Sequence, residues 1–155
     1  MSKQSYQGRD PRYIAYHEAG HAVVNLVIGY KVTKATIRPR YSLLGRVNFD
    51  GRVSDDKVDE AIAKIKSNLA GPLAEQLINP EQFDNLILNG SRGDWQRVRR
   101  AAQQIANGMI DRLIRDTHAL VQEHRSAIER IAAALLEHET LTGKEIEGLF
   151  DEVVS

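Results

Sequence analysis

The chain has 155 residues, which suits one domain spanning residues 1–155 with its own hydrophobic core. Its 21 basic and 21 acidic side chains balance, so no overall field favours nucleic acid or an anionic membrane as a partner. It contains no cysteine, which excludes disulfides and thiolate metal sites, so that any bound metal must use histidine and carboxylate ligands.

The amino-terminal residues contain no apolar core of signal-peptide length. The longest apolar run, residues 22–30, is interrupted by Asn25 and Gly29, so we expect no membrane span. Together with the absence of cysteine, this favours a cytoplasmic protein. A local basic cluster at positions 97, 99 and 100 is interpreted as a solvated helix face, and we expect no nucleic-acid partner.

The first predicted helix begins at Asp10 and Pro11, because aspartate caps free amides and proline fits the first helical position. We expect this helix to end near Ile28, before Gly29. Apolar residues and two histidines recur along it at three- and four-residue steps, which places both histidines on the inward face. Gly20 lies in mid-helix, where glycine costs roughly 1 kcal/mol relative to alanine, and indicates the close approach of another backbone.

Two short strands are predicted after the first helix. Residues 31–38 alternate apolar and polar positions and contain β-branched threonines, and residues 44–49 form a second run after a turn-like segment. A long helical pattern then extends from residue 54 or 55 to Ile78. We expect a kink or a restart at the Gly71-Pro72 pair, because proline inside a helix loses a hydrogen bond and clashes with the preceding turn.

A polar loop is predicted at residues 79–90, followed by two long helices. The first begins after a cap at Ser91 and covers residues 91–115, and the second covers residues 118–138.

The end of the chain carries a helix-start signal. Thr142 and Glu145 have the spacing of a capping box, which predicts a last helix to Val154. The expected fold is therefore a mainly helical α+β domain with about five helices and one small β-sheet.

The first helix contains the pattern His17-Glu18-x-x-His21. Residues four apart on a helix lie one above the other, so both imidazoles can bind one ion at about 2.0 to 2.1 Å. Glu18 is offset from the pair and is placed to act on a water molecule held by the metal, as the general base of a hydrolase. The alternative interpretation is a pair of hydrogen-bonded core histidines beside a surface glutamate.

A zinc site of this kind needs a third ligand from an element packed against the first helix. The candidates are Glu75, Asp94 and Glu60. Asp94 has a second explanation, because an acidic residue in the first turn of a helix interacts favourably with the helix dipole. Spacing alone does not choose between Glu75 and Asp94.

Longer segments of the sequence resemble the peptidase domain of the FtsH family of ATP-dependent zinc metalloproteases. The likeness covers nearly all of the chain, in the family's order. The matching segments are "IAYHEAGHAVV", "KVTKATIRPR", "LLGRVNF", "NLAGPLAEQL", "SRGDWQRVRRAAQQIANGMI" and "EHRSAIERIAAALLEHETLTGKEIEGLF". This ordered series is far more specific than the five-residue motif alone.

The resemblance implies a zincin-type peptidase domain with specific roles for five residues. It implies that His17, His21 and Asp94 bind Zn²⁺ and that Glu18 is the catalytic base. It further implies that Glu75 packs or hydrogen-bonds near the site as a second-shell residue and does not bind the metal.

The resemblance also assigns substrate binding to the strand at residues 31–38. The substrate-facing residues are Thr33, Lys34, Ala35, Thr36 and Ile37. An extended polypeptide would add to this strand through backbone hydrogen bonds, so binding would be largely blind to substrate sequence. Stabilisation of the oxyanion stays open between Tyr13, Tyr16 and Tyr41.

The sequence departs from the family pattern in lacking an ATP-binding Gly-x-x-x-x-Gly-Lys-Ser/Thr loop and a preceding transmembrane helix. Pro72 replaces a charged or small residue, and residues 109–118 look shortened. We therefore expect a stand-alone zinc endopeptidase acting on unfolded or flexible polypeptides, or on proteins delivered by a separate AAA ATPase or FtsH-type protease.

Two other functions are considered. A non-catalytic scaffold would keep the peptidase fold and associate with true family members; these assemble as hexamers, which leaves a homo-oligomer open for this chain as well. A zinc-storage domain would bind metal without hydrolysis. Neither of these functions gives Glu18 a chemical role.

Overall fold

A computed structural model of the chain describes residues 10–39, 46–80 and 92–154. The elements in chain order are α1 (Pro11–Ile28), β1 (Lys31–Thr36), β2 (Arg46–Asp50), α2 (Lys57–Glu75), α3 (Arg92–Ala101), a 3-10 turn (Ala102–Gln104), α4 (Met109–Glu123), α5 (Arg125–His138), β3 (Thr140–Thr142) and α6 (Gly143–Val154). The predicted mainly helical α+β fold is confirmed, with six α-helices in the described ranges. None of the described helices combines the length and apolarity needed to cross a bilayer.

Helix α1 lies in the middle of the core, packed against α2 on one side and α5 on another. Each buried leucine or isoleucine at these contacts contributes about 1.5–3 kcal/mol. The largest fully buried side chains of the two partner helices are Ile65, Leu69, Leu73, Ile128, Ile131 and Leu135. The helix that carries the two histidines is therefore held rigidly between two others.

Both predicted ends of α1 are confirmed. The Asp10 carboxylate accepts a hydrogen bond of 2.9 Å from the Arg12 amide, and Pro11 is the first helical residue. At the other end, Gly29 has a φ of 108°, in the left-handed region that glycine enters without a steric cost.

Gly20 marks a point of close approach between α1 and α2. A Cβ atom at this position would lie 2.7 Å from the Ala70 carbonyl oxygen and would also overlap the Ala74 side chain. The predicted approach of another backbone is confirmed, because any side chain at residue 20 would push the two helices apart.

Helix α2 continues through Pro72 to Glu75, so the expected restart at residues 71–72 does not occur. Pro72 lies four residues before the C-cap, so the lost hydrogen bond falls in the last turns of the helix. The surrounding residues are all buried against the core, and this packing outweighs the intrinsic cost of proline.

The prediction of one continuous helix over residues 91–115 is wrong. Helix α3 ends at Ala101, and α4 begins at Met109 after Gly108, which has a φ of 88°. The predicted helix over 118–138 is likewise divided at His124, between α4 and α5. Ser91 and most of the predicted loop lie outside the described residues.

Within the described ranges, the sheet has three antiparallel strands in the order β2-β1-β3, with β1 in the centre. Ala35 of β1 lies opposite Val47 on one side and Leu141 on the other. The third strand was not predicted, because three residues are too few for a visible alternation. The capping box that follows it is confirmed: the Thr142 hydroxyl accepts from the Glu145 amide at 3.2 Å, and the Glu145 carboxylate accepts from the Thr142 amide at 3.0 Å.

Candidate metal centre

Two histidines of α1 and one aspartate of α3 meet at a single point. The Nε2 atoms of His17 and His21 are 3.1 Å apart. Asp94 Oδ2 lies 2.9 Å from His17 Nε2 and 3.2 Å from His21 Nε2. The three atoms therefore form a nearly equilateral triangle, although Asp94 follows His21 by 73 positions in the chain.

The other nitrogen of each imidazole is held by α2. His21 Nδ1 lies 2.7 Å from the Ser67 carbonyl oxygen, which can only accept, so this nitrogen carries the hydrogen. His17 Nδ1 lies 2.8 Å from Glu75 Oε2 and donates to that buried carboxylate. Each neutral ring is thereby fixed in the tautomer whose Nε2 lone pair faces Asp94.

When both rings are neutral, three hydrogen-bond acceptors converge, and this set of ligand atoms fits a divalent cation. Tetrahedral ligands at 2.0–2.1 Å from zinc are separated by about 3.3 Å, close to the observed spacings. The His17, His21 and Asp94 side chains are 15%, 12% and 13% exposed, so the cluster is partly open to solvent. Among the described residues, these three side chains form the group of ligand atoms, and three protein ligands are typical of catalytic zinc sites, whereas structural sites have four.

The directions of the pKa shifts in the cluster show that its groups favour a positive charge. Burial by itself would lower the pKa of His17, but the hydrogen bonds to Asp94 and Glu75 outweigh it and raise this pKa well above the ordinary value. Burial would raise the pKa of Asp94, but the charges and hydrogen bonds of His21 and His17 outweigh it and lower this pKa. A positive charge among these groups is therefore strongly stabilised.

Glu18 lies beside the cluster and is buried, with 6% of its surface exposed. Burial raises the pKa of its carboxyl group, and the charges of His17 and His21 act in the opposite direction. The carboxyl group is therefore within electrostatic reach of both histidines without pairing with either of them. This burial excludes the alternative interpretation of Glu18 as a surface residue.

One stripe of α2 forms the floor of the cluster. Ser67, Gly71 and Glu75 follow one another at four-residue steps and therefore share one face of the helix. A Cβ atom on Gly71 would lie 2.5 Å from His21 Nε2 and 2.6 Å from His17 Nε2. Only glycine leaves room for both rings at this position. The sequence analysis missed this role, although a mid-helix glycine four residues before Glu75 was the available signal.

The remaining candidates occupy other places. Glu60 is not at the cluster, because its carboxylate accepts from the Tyr30 hydroxyl and from the Val53 and Ser54 amides. Tyr41 lies outside the described residues.

The predicted substrate strand lies in the centre of the sheet. Strand β1 pairs with β2 on one edge and, at Lys34, Ala35 and Thr36, with β3 on the other. The Ile37 amide donates to the Glu139 carbonyl oxygen at 2.9 Å. Addition of a further strand at residues 34–36 does not fit this arrangement, because these residues have a strand on each edge. Side-chain contacts of Thr33 and its neighbours with a substrate stay a prediction.

A helix that presents two histidines to a carboxylate of a second helix, with a buried glutamate beside them, defines a metallopeptidase-type domain. A profile of Peptidase family M41 matches residues 4–114, well over half of the chain. The chain belongs to this peptidase family.

Curated relatives of the chain are zinc metalloproteases by name. It is 31% identical to the "ATP-dependent zinc metalloprotease FtsH 3" of Phytoplasma mali over 93% of this chain and 28% of the relative. It is 31% identical to the "ATP-dependent zinc metalloprotease FTSH 9, chloroplastic/mitochondrial" of Oryza sativa subsp. japonica over 85% of this chain and 21% of the relative. A relative from Mycoplasma mobile, "ATP-dependent zinc metalloprotease FtsH", is 30% identical over 86% and 25% of the two chains. The chain thus spans less than a third of the length of these relatives.

Proposed function

We propose that the chain is a zinc-dependent metalloendopeptidase that hydrolyses peptide bonds of unfolded or flexible polypeptides. The observation that carries this proposal is the triangle of His17 Nε2, His21 Nε2 and Asp94 Oδ2, with sides of 2.9 to 3.2 Å. In this proposal the three residues are the zinc ligands. Glu75 and Ser67 are the outer partners that keep the two imidazoles in the ligand tautomer.

Glu18 is the general base of the proposed reaction. A bound zinc ion supplies Lewis-acid chemistry, which polarises the scissile carbonyl and makes water a better nucleophile near neutral pH. The Glu18 carboxylate takes a proton from the attacking water and passes it to the nitrogen of the leaving amine. Its burial supports this role, because a carboxylate shielded from bulk water exchanges its proton with the reacting groups.

We propose that an extended substrate pairs with β2 instead of β1. Strand β2 pairs with β1 along one edge, and no described strand pairs with its other edge. An added strand would be held by backbone hydrogen bonds, so selection by substrate sequence would be weak. This fits a peptidase whose substrates share an unfolded backbone and not a sequence.

The proposed substrates are polypeptides that are already unfolded, or that a separate AAA ATPase or FtsH-type protease delivers. The relatives named above are ATP-dependent by name, which fits delivery of unfolded substrate to a peptidase domain.

The test is hydrolysis of a permanently unfolded protein, such as a reduced and carboxymethylated one, by zinc-loaded protein. Glu18→Gln should bind zinc but cleave about 10²–10⁴-fold more slowly than wild type, because it loses the proton acceptor. The exposed Glu137, replaced by glutamine, provides the matched control and should cleave as wild type does. If wild type and Glu18→Gln both bind zinc and neither cleaves, the enzyme proposal fails and the non-catalytic scaffold takes its place.

A further inference from the structure

Asp94 uses its two carboxylate oxygens for different partners. Oδ2 faces the two histidine Nε2 atoms, whereas Oδ1 accepts a hydrogen bond of 3.1 Å from Nη1 of Arg97. Arg97 lies one helical turn further along α3, and its side chain is 61% exposed while that of Asp94 is 13% exposed. The guanidinium therefore reaches from the surface to the outer oxygen of an almost buried carboxylate.

We propose that Arg97 is a positioning residue for the metal centre. By holding Oδ1, it prevents the carboxylate from rotating and leaves Oδ2 as the single oxygen directed at the histidines. This inference rests on the proposed function, since it assigns Asp94 to a bound zinc ion. Outer partners of this kind orient a ligand and are part of the site's affinity for metal.

Two simpler accounts of the Arg97–Asp94 contact predict different behaviour. An exposed ion pair between residues three apart on a helix contributes little to stability and has no effect on metal affinity. A purely electrostatic account predicts that removal of Arg97 strengthens zinc binding, because a positive charge near the cation is lost. Positioning predicts the opposite sign: without Arg97, zinc binding becomes weaker.

Helix α3 offers a matched control for this test. Arg99 is also exposed and lies two residues further along the same helix, so its side chain points to a different face. Replacing it with alanine removes the same charge from the same helix without touching Asp94. Arg97→Lys keeps the charge and one donor at the original position.

The experiment measures the zinc dissociation constant by competition with a chelator, at fixed pH and ionic strength. We expect the constant of Arg97→Ala to be about tenfold higher than that of wild type, at the lower end of the range for outer partners because the residue is exposed. Arg97→Lys should recover most of this loss, and Arg99→Ala should bind zinc as wild type does. The urea midpoint of the metal-free protein should not change in Arg97→Ala.

Several outcomes would overturn the inference. An unchanged dissociation constant in Arg97→Ala would mean that the contact is only an exposed ion pair. A lower dissociation constant would mean that Arg97 acts only through its charge. An equal loss in Arg99→Ala would reduce the effect to general surface charge. If wild type itself does not bind zinc, the proposed function fails, and the role of Arg97 fails with it.

Discussion

Helix α2 carries two buried glutamates, and they serve opposite ends of the contact with α1. Near its start, the Glu60 carboxylate accepts from the Tyr30 hydroxyl at 2.6 Å and from the Val53 and Ser54 amides at 2.7 and 3.1 Å. At its end, the Glu75 carboxylate accepts from His17 Nδ1 at 2.8 Å. Both are more than nine-tenths buried, yet they lie in contrasting surroundings.

The difference lies in the groups that the two carboxylates bind. Burial would raise the pKa of Glu60, but the hydrogen bonds from Tyr30, Ser54 and Val53 outweigh it and lower this pKa. Glu60 thus ties the end of α1 to the start of α2 and needs no further charge. Beyond Glu75, the imidazole of His17 leads to His21 and Asp94, which form the candidate metal centre with it. Both carboxylates are buried, so the groups that they bind, and not burial as such, distinguish the two ends of α2.

The largest expected effect is the loss of zinc affinity when Gly71 is replaced. Gly71→Ala should lower zinc affinity more than about 100-fold, beyond the loss typical of an outer partner, because the new methyl group displaces both imidazole rings. The measurement is a zinc titration with a competing chelator.

Gly148 of α6 is the matched control for that substitution. A Cβ atom at this position meets no other atom within 4 Å. Gly148→Ala should therefore leave zinc affinity unchanged and stabilise the protein by about 0.5–1 kcal/mol in urea unfolding. Wild-type zinc affinity in Gly71→Ala would contradict the assignment of the floor of the site.

Glu75→Gln should raise the zinc dissociation constant about 10–100-fold. The amide oxygen can still accept from His17 Nδ1, but the negative charge that strengthens the imidazole as a ligand is lost. Glu60→Gln is the control on the same helix, and its zinc affinity should equal that of wild type. If Glu75→Gln and Glu60→Gln bound zinc with equal affinity, Glu75 would have no special role at the metal centre.

Glu60→Gln should instead lower the free energy of unfolding at pH 7 by about 2 kcal/mol, the order expected for hydrogen bonds to a charged group. The folded-state pKa of Glu60 is lowered, so its contribution is fully present above the unfolded value of about 4.3 and is lost as the pH falls through the folded value. Urea unfolding at pH 7 and at pH 3.5 tests this: the gap between wild type and variant should narrow on acidification. If the difference in free energy of unfolding between wild type and Glu60→Gln did not depend on pH, the charge of Glu60 would not contribute to stability.

The smallest expected effect concerns Tyr30. Tyr30→Phe should cost about 1 kcal/mol of stability, because Glu60 loses one of its donors and keeps two backbone amides. Thermal or urea unfolding measures this cost, and zinc affinity should not change. A cost larger than that of Glu60→Gln would contradict this ranking, because phenylalanine keeps the ring and removes only the hydroxyl that donates to Glu60.

Local features of the fold were predictable where a few neighbouring residues decide them. Asp10, Pro11 and Gly29 fix the ends of α1, and the capping box of the last helix depends on two residues three apart. The four-residue spacing of His17 and His21 likewise brings their Nε2 atoms together on one helix face.

Features that depend on distant parts of the chain were not predictable in this way. Spacing left Glu75 and Asp94 open as the third ligand, because only the packing of α2 and α3 against α1 decides which carboxylate faces Nε2 and which faces Nδ1. The central place of β1 depends on a strand more than a hundred residues later, at Thr140–Thr142. Gly108 interrupts a continuous helical pattern with a positive φ that its sequence neighbours do not reveal.

The most direct test of the proposed zinc site is the amount of zinc that the protein retains. Wild type and Asp94→Ala are dialysed against the same zinc-buffered solution, and metal and protein are then measured by elemental analysis. The proposed zinc site predicts one zinc ion per chain for wild type and none for Asp94→Ala, which loses the carboxylate oxygen of the triangle. Wild type without zinc, or equal zinc in the two proteins, would contradict it.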